Sequence, residues 1–361
     1  MKKVIFTILF MLICSVSYSA QFLYKDVCLS GQGDDGGDCD YTTLESCIVA
    51  NQQDLTGDGW FDIEIKGEWA TADTTQASVN NYITTVDDDV RMFTSGSARH
   101  SGVWSETAYR MEATSSPAIV FTIKYATMDG FQIKRTASSG NGVGPVGVDR
   151  SEVGLNTFKN NIIRGDYSGS ANYASGISTY NVNTKNYLVY NNIFYGFINS
   201  TNSLEGYYKN MNTSHELYNN TFYGNYVGIK SLGFGGVTAK NNLSYNNTTD
   251  YDGPFTATST HNASSDATAP EYNTYYDNVT ITFVNTESGT EDFHLVSGDT
   301  DAIDAGTALG SPYNVDIDGD SRPQGSAWDI GADEFIAAGG EAIRLKYSIT
   351  NVTIDGNVTF N

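Results

Sequence analysis

Basic residues are scarce in this sequence. The 361 residues include 20 Lys and Arg against 42 Asp and Glu, a formal net charge of −22. Contact with phosphates needs a basic patch, so this balance argues against a nucleic-acid partner. Acidic polysaccharides would be repelled over most of such a surface unless cations bridged them. Histidine (4), proline (6) and cysteine (4) are also few, and no Cys–His spacing suggests a zinc site. Beyond the first residues no apolar run is long enough to span a bilayer.

What is present begins with a leader. Lys2-Lys3, the apolar run Val4 to Val16 and the small residues Ser17, Ser19 and Ala20 read as a secretory signal peptide (1–20) cleaved after Ala20. Losing Lys2 and Lys3 would take the net charge from −22 to −24. The mature product is expected to be exported to the exterior or the cell surface. Three cysteines remain, and export favours a disulfide among them. Cys47 falls on the apolar side of a predicted helix, which favours Cys28 with Cys39.

One short phrase recurs four times: Lys159-Asn160-Asn161-Ile162-Ile163-Arg164, Tyr190-Asn191-Asn192-Ile193-Phe194-Tyr195, Tyr218-Asn219-Asn220-Thr221-Phe222-Tyr223 and Lys240-Asn241-Asn242-Leu243-Ser244-Tyr245. The second asparagines are 31, 28 and 22 residues apart, lengths that suit one circuit of a solenoid per copy. A side-chain amide at a tight corner can donate to and accept from the amides above and below it, and asparagine tolerates a left-handed backbone. With Asn161, Asn192, Asn220 and Asn242 inward, the period of two turns Ile163, Phe194, Phe222 and Ser244 inward too. Arg164, Tyr195, Tyr223 and Tyr245 then form an outward row. Fainter copies lie at Met128–Phe131 and His261–Ala263.

With these residues the chain resembles the right-handed parallel β-helix proteins of the pectate-lyase-like superfamily, whose coils carry stacked asparagines. The resemblance implies an all-β solenoid with a short N-terminal capping helix. The expected divisions are 21–115 for the cap and first coils, 116–300 for the repeats, 301–338 for a closing segment and 339–361 for a tail.

Local motifs fill in this outline. Thr42 three residues ahead of Glu45 suggests a capping box, with Leu44, Cys47, Ile48 and Asn51 on one helical face. The stretch is similar to the opening that precedes the capping helix in pectin methylesterases. Asp54, Asp58 and Asp62 around Gly59 resemble half of a calcium loop that lacks its closing acid. His100 has no identifiable partner and is expected to be structural.

Near the end, Asp316-Ile317-Asp318-Gly319-Asp320-Ser321-Arg322-Pro323 and Asp329-Ile330-Gly331-Ala332-Asp333-Glu334-Phe335 closely resemble the closing segment of many secreted bacterial β-helix proteins. Here Arg322 is expected to clasp carboxylates, with calcium at Asp316, Asp318 and Asp320 as the alternative cofactor. Either arrangement is expected to end the coil stack. The tail alternates from Ile343 to Ile349 and ends in a hairpin candidate around Asp355-Gly356.

Three functional readings follow. The first is a polysaccharide or cell-surface glycan binder, with Arg164, Tyr195, Tyr223 and Tyr245 under sugar rings and Tyr207 and Tyr208 on a long loop, 199–212. The second, implied by the resemblance, is a polysaccharide lyase or glycoside hydrolase. For it Lys159, Arg164, Asp166, Glu205, Lys209 and Glu216 are the raw material, although none forms the catalytic set of pectate lyases or pectin methylesterases. The third is self-association through the tail.

Overall fold

A computed structural model describes residues 23–29, 39–114, 116–138, 144–149, 153–171, 174–180, 185–199, 204–210, 213–270 and 276–337. The expected leader and the 339–361 tail lie outside the described residues.

The chain winds as a right-handed parallel β-helix with three parallel sheets of eight, seven and seven strands. The first sheet runs in order from Leu23–Val27 through Phe61–Ile65, Val90–Thr94, Tyr125–Asp129, Gly154–Lys159, Lys185–Tyr190 and His215–Tyr218 to Val237–Lys240. The second runs from Arg110–Ala113 to Ala263–Ser264, and the third from Ala77–Val79 to Thr249–Asp252. The stretch 67–115 contributes strands to all three sheets.

Alternation along each strand sends every second side chain inward, and register then stacks like on like. Met92, Met128, Phe158, Val189, Leu217 and Ala239 form one fully buried row of the first sheet. Ile163, Phe194, Phe222 and Ser244 form the matching row of the second, as expected, with the Phe194 and Phe222 rings stacked at 4.7 Å.

The corner between these two sheets divides its work between the paired asparagines. The first takes the left-handed conformation, with φ of 55°, 54°, 52° and 54° at Asn160, Asn191, Asn219 and Asn241; Gly130 and His261 do so in the neighbouring coils. The second makes the ladder. Asn161 Nδ2 donates to Asn192 Oδ1 at 2.8 Å, Asn192 to Asn220, Asn220 to Asn242 and Asn242 to Asn262 at 2.9 Å each. Each Oδ1 also accepts the main-chain N–H of the coil before it. A shorter ladder at the next corner joins Asn225 to Asn247.

A helix, α1 (Leu44–Ala50), covers the start of the stack with Leu44, Cys47 and Ile48 buried. Its cap is Thr43 rather than Thr42: Thr43 Oγ1 accepts from Ser46 N at 3.2 Å. Glu45, one place too early to return the bond, instead accepts from Ser78 N at 2.7 Å and ties the helix to the strand Ala77–Val79. Cys28 and Cys39 are bridged, and Cys47 is a free, buried thiol.

The closing segment corrects the expectation that it ends the stack. It folds back along the outer flank of the second sheet, where Ile162, Ile193, Tyr195 and Leu243 share one core with Phe283, Phe293, Leu295, Ile317 and Ile330. Asn191 Nδ2 donates to Val315 O, Asn241 Nδ2 to Thr307 O, and Ala332 N to Thr221 Oγ1. Arg322 does clasp a carboxylate, but that of Glu334 at 3.1 Å, together with the carbonyls of Asp329, Gly331 and Ala332.

Candidate functional site

The outward row of the second sheet exists but is covered. Tyr195, Tyr223 and Tyr245 stand in register, and Phe293 packs on Tyr195 and Tyr223 at 5.2 and 4.9 Å while Phe283 packs on Tyr223 and Tyr245 at 5.7 and 6.1 Å. The faces expected under sugar rings are occupied by the protein's own side chains. Arg164 lies between Trp104 and Tyr195, 5.9 and 5.5 Å from their rings.

The expected binding loop 199–212 is also corrected, since Glu205–Lys209 is a strand of the third sheet. Tyr207 points into the core, fully buried, with its hydroxyl 2.7 Å from His215 Nδ1; only Tyr208 is partly exposed. Lys209 is buried too, and its ammonium donates to the carbonyls of Leu232 and Phe234 at 3.1 Å. Burial lowers its pKa.

The catalytic candidates are not brought together. Lys159 belongs to the first sheet, Arg164 and Asp166 to the second, Glu205 and Lys209 to the third, and Glu216 to the first. Of the first calcium candidates, Asp54 accepts from Thr56 N, and Asp62 is held by Arg91 through two bonds of 2.6 Å. Among the described residues Asp54, Asp58 and Asp62 do not converge as a ligand group.

The outer face of the first sheet is different. One outward row reads Tyr24, Asp62, Arg91, Thr127, Thr157, Leu188, Glu216 and Thr238, the other Asp26, Glu64, Phe93, Asp129, Lys159, Tyr190, Tyr218 and Lys240. Tyr313 covers Tyr190 and Tyr218 edge-on at 5.1 Å, and towards the N-terminal coils the face opens. There Arg91, Met92, Phe93, Thr127, Asp129 and Lys159 line a recess of about 180 Å³. Arg91 stacks on Trp60 at 4.1 Å. Asp129 pairs with Arg99 at 2.9 Å and Lys159 at 3.2 Å. Burial would raise its pKa, but those two cations and the Asn160 amide hold it below the usual carboxylate range.

Two clusters were missed in sequence because their members are far apart along the chain. On the third sheet Lys230 lies between Glu205 at 3.7 Å and Asp252 at 3.6 Å. On the closing flank His294 Nδ1 is 2.5 Å from Asp292 Oδ1, and its Nε2 is 2.7 Å from Asp318 Oδ2. Burial alone would lower the pKa of His294; its bonds to Asp292 and Asp318 and the charge of Asp333 outweigh this and raise it to about 11. Asp316, Asp318 and Asp320, expected as ligands, do bring one carboxylate oxygen each within 4.8 Å of one another, and the Asp316 carboxylate also organises the loop by accepting the main-chain N–H of Asp318, Asp320 and Glu334.

No family model and no curated protein matches this chain. A solved structure, the crystal structure of pectate lyase Pel9A, is similar at 14% identity over 88% of this chain and 97% of its own, with a TM-score of 0.31. The residues described above divide into an open, polar, periodic face on the first sheet and an acidic junction around His294 on the closing flank.

Proposed function

We propose that the protein is an exported polysaccharide-binding β-helix, and that it binds with the outer face of its first sheet. The observation that carries this reading is the in-register outward surface around Arg91, Phe93, Thr127, Asp129 and Lys159. Strands about 4.8 Å apart repeat hydroxyl, charged and aromatic side chains at a fixed interval, and a periodic face suits a periodic ligand. Its recess is smaller than the roughly 300 Å³ at which small-molecule pockets begin, so it suits one unit of an extended chain lying across the sheet. Phe93 supplies an apolar surface, and the Lys159–Asp129–Arg99 group supplies donors and acceptors for hydroxyls.

A second reading, cleavage of a polysaccharide, is favoured by Lys230 between Glu205 and Asp252. A lysine can act as base in a lyase, and two carboxylates are what a hydrolase uses.

One experiment separates the two. The mature protein is passed over immobilised neutral and acidic polysaccharides with and without calcium, while unsaturated products and new reducing ends are followed. Retention without products is expected, weakened at least about ten-fold in a Phe93→Ala, Lys159→Ala variant, the scale of one lost hot spot. Products that disappear in Lys230→Ala would establish cleavage instead, and the absence of both retention and products with every polymer would overturn both readings.

A further inference from the structure

The junction between the closing segment and the coils carries a separate inference, independent of glycan binding. Three segments meet there: the turn His100–Gly102, the strand Asp292–Leu295, and the loop from Asp316 to Asp320, with Asp333 beneath. Potential ligand atoms of His294, Asp318 and Asp333 lie within 4.8 Å of one another. A cluster of acids would mean little by itself. Here, however, the Asp318 side chain is only 7% exposed, and its Oδ1 is buried with no hydrogen-bond partner. A carboxylate oxygen buried without a partner is costly, so it calls for a cation.

We propose that this junction is a divalent-cation site in which His294 Nε2 and one carboxylate oxygen each from Asp318 and Asp333 are the ligands. The surroundings are built for it. Asp292 holds the far nitrogen of the imidazole, the outer-shell carboxylate that orients a ligating histidine. Asp333 uses Oδ2 to accept from Leu295 N at 2.7 Å, which fixes its position and leaves its other oxygen to the ion. Gly102, at φ +72°, closes the site with bare backbone. A Cβ there would fall 2.6 Å from His294 Nε2 and 2.8 Å from Asp318 Oδ1.

The donor set also selects the ion. One imidazole nitrogen with carboxylates suits Zn²⁺ or Mn²⁺, whereas Ca²⁺ takes oxygen alone. The proton that Nε2 now shares with Asp318 leaves as the ion binds. Bound there, the ion would staple the closing segment to the coils.

The test uses the whole mature chain, stripped with chelator and then dialysed separately against Zn²⁺, Mn²⁺ and Ca²⁺. Bound metal per chain and the melting midpoint are measured. One Zn²⁺ or Mn²⁺ per chain with a raised midpoint is expected, with affinity at least about ten-fold weaker in Asp318→Asn and in His294→Gln, and unchanged in Asp320→Asn. Should those variants fail to fold, the visible spectrum of Co²⁺ bound to the unmodified protein reads nitrogen and oxygen coordination directly. Absence of stoichiometric Zn²⁺ or Mn²⁺, uptake unchanged in folded forms of both ligand variants, or Ca²⁺ uptake abolished by Asp320→Asn would each overturn the proposal.

Discussion

At the scale of single residues, the asparagine corner was the most legible feature of the chain. It could be read because one residue does one job in every coil, so the sequence repeats it. Which asparagine does what was less visible: the left-handed turn belongs to Asn160, Asn191, Asn219 and Asn241, and the hydrogen-bonded stack to their successors. Chemistry at the stack is directional, since each amide must donate one way and accept the other. Asn220→Asp keeps shape and volume but replaces the donor to Asn242 Oδ1 and Val189 O by an oxygen. The loss of two buried bonds, with oxygens left facing oxygens, is expected to cost roughly 3–5 kcal/mol. A urea midpoint within error of the parent would mean that the ladder accompanies the fold without supporting it.

Elements were legible where the pattern is local and hidden where it is not. The outward tyrosines follow from alternation alone. Their cover does not, because contacts such as that between Thr221 and Ala332 join residues 111 apart, and nothing periodic links the two stretches. Glu205–Lys209 reads as a loop in sequence for another reason: Glu205, Gly206, Tyr207, Tyr208 and Lys209 show no alternation of apolar and polar residues, and only pairing with Val227–Ser231 and Ser175–Tyr180 makes the strand. The cover should therefore behave as one element. Phe293 touches Tyr195, Tyr223 and Phe283, so Phe293→Ala is expected to cost about 3–5 kcal/mol, the usual range for a buried phenylalanine. Hydrogen exchange should show the loss concentrated in residues 283–335, with the ladder amides still protected. Uniform loss of protection through the coils would show that flank and coils unfold together.

For the whole molecule, 42 acidic residues against 20 basic ones make acid a two-sided variable. Protonation relieves self-repulsion, and burial raises the pKa of Asp329 to about 7, so that group also favours the folded state as pH falls. Buried histidines act in the opposite direction. His100 is 4% exposed, with Nε2 on Asn160 O and Nδ1 accepting from Gly102 N, an arrangement that requires a neutral ring. Burial first, then the charge of Arg99, lowers its pKa to about 4 against the pull of Asp318 and Asp129. A base whose folded pKa lies below its unfolded value near 6.5 contributes stability above about pH 6.5 and loses it as pH falls towards 4. His215 is shifted in the same direction. Terms common to parent and variant cancel, so the measurement is the difference between the parent and His100→Gln, in chelator, at pH 7 and pH 4.5. The parent should lose on the order of 2 kcal/mol more than the variant over that interval. Equal losses would place a charged His100 in the folded protein and remove the neutral hinge on which the turn His100–Gly102 is packed.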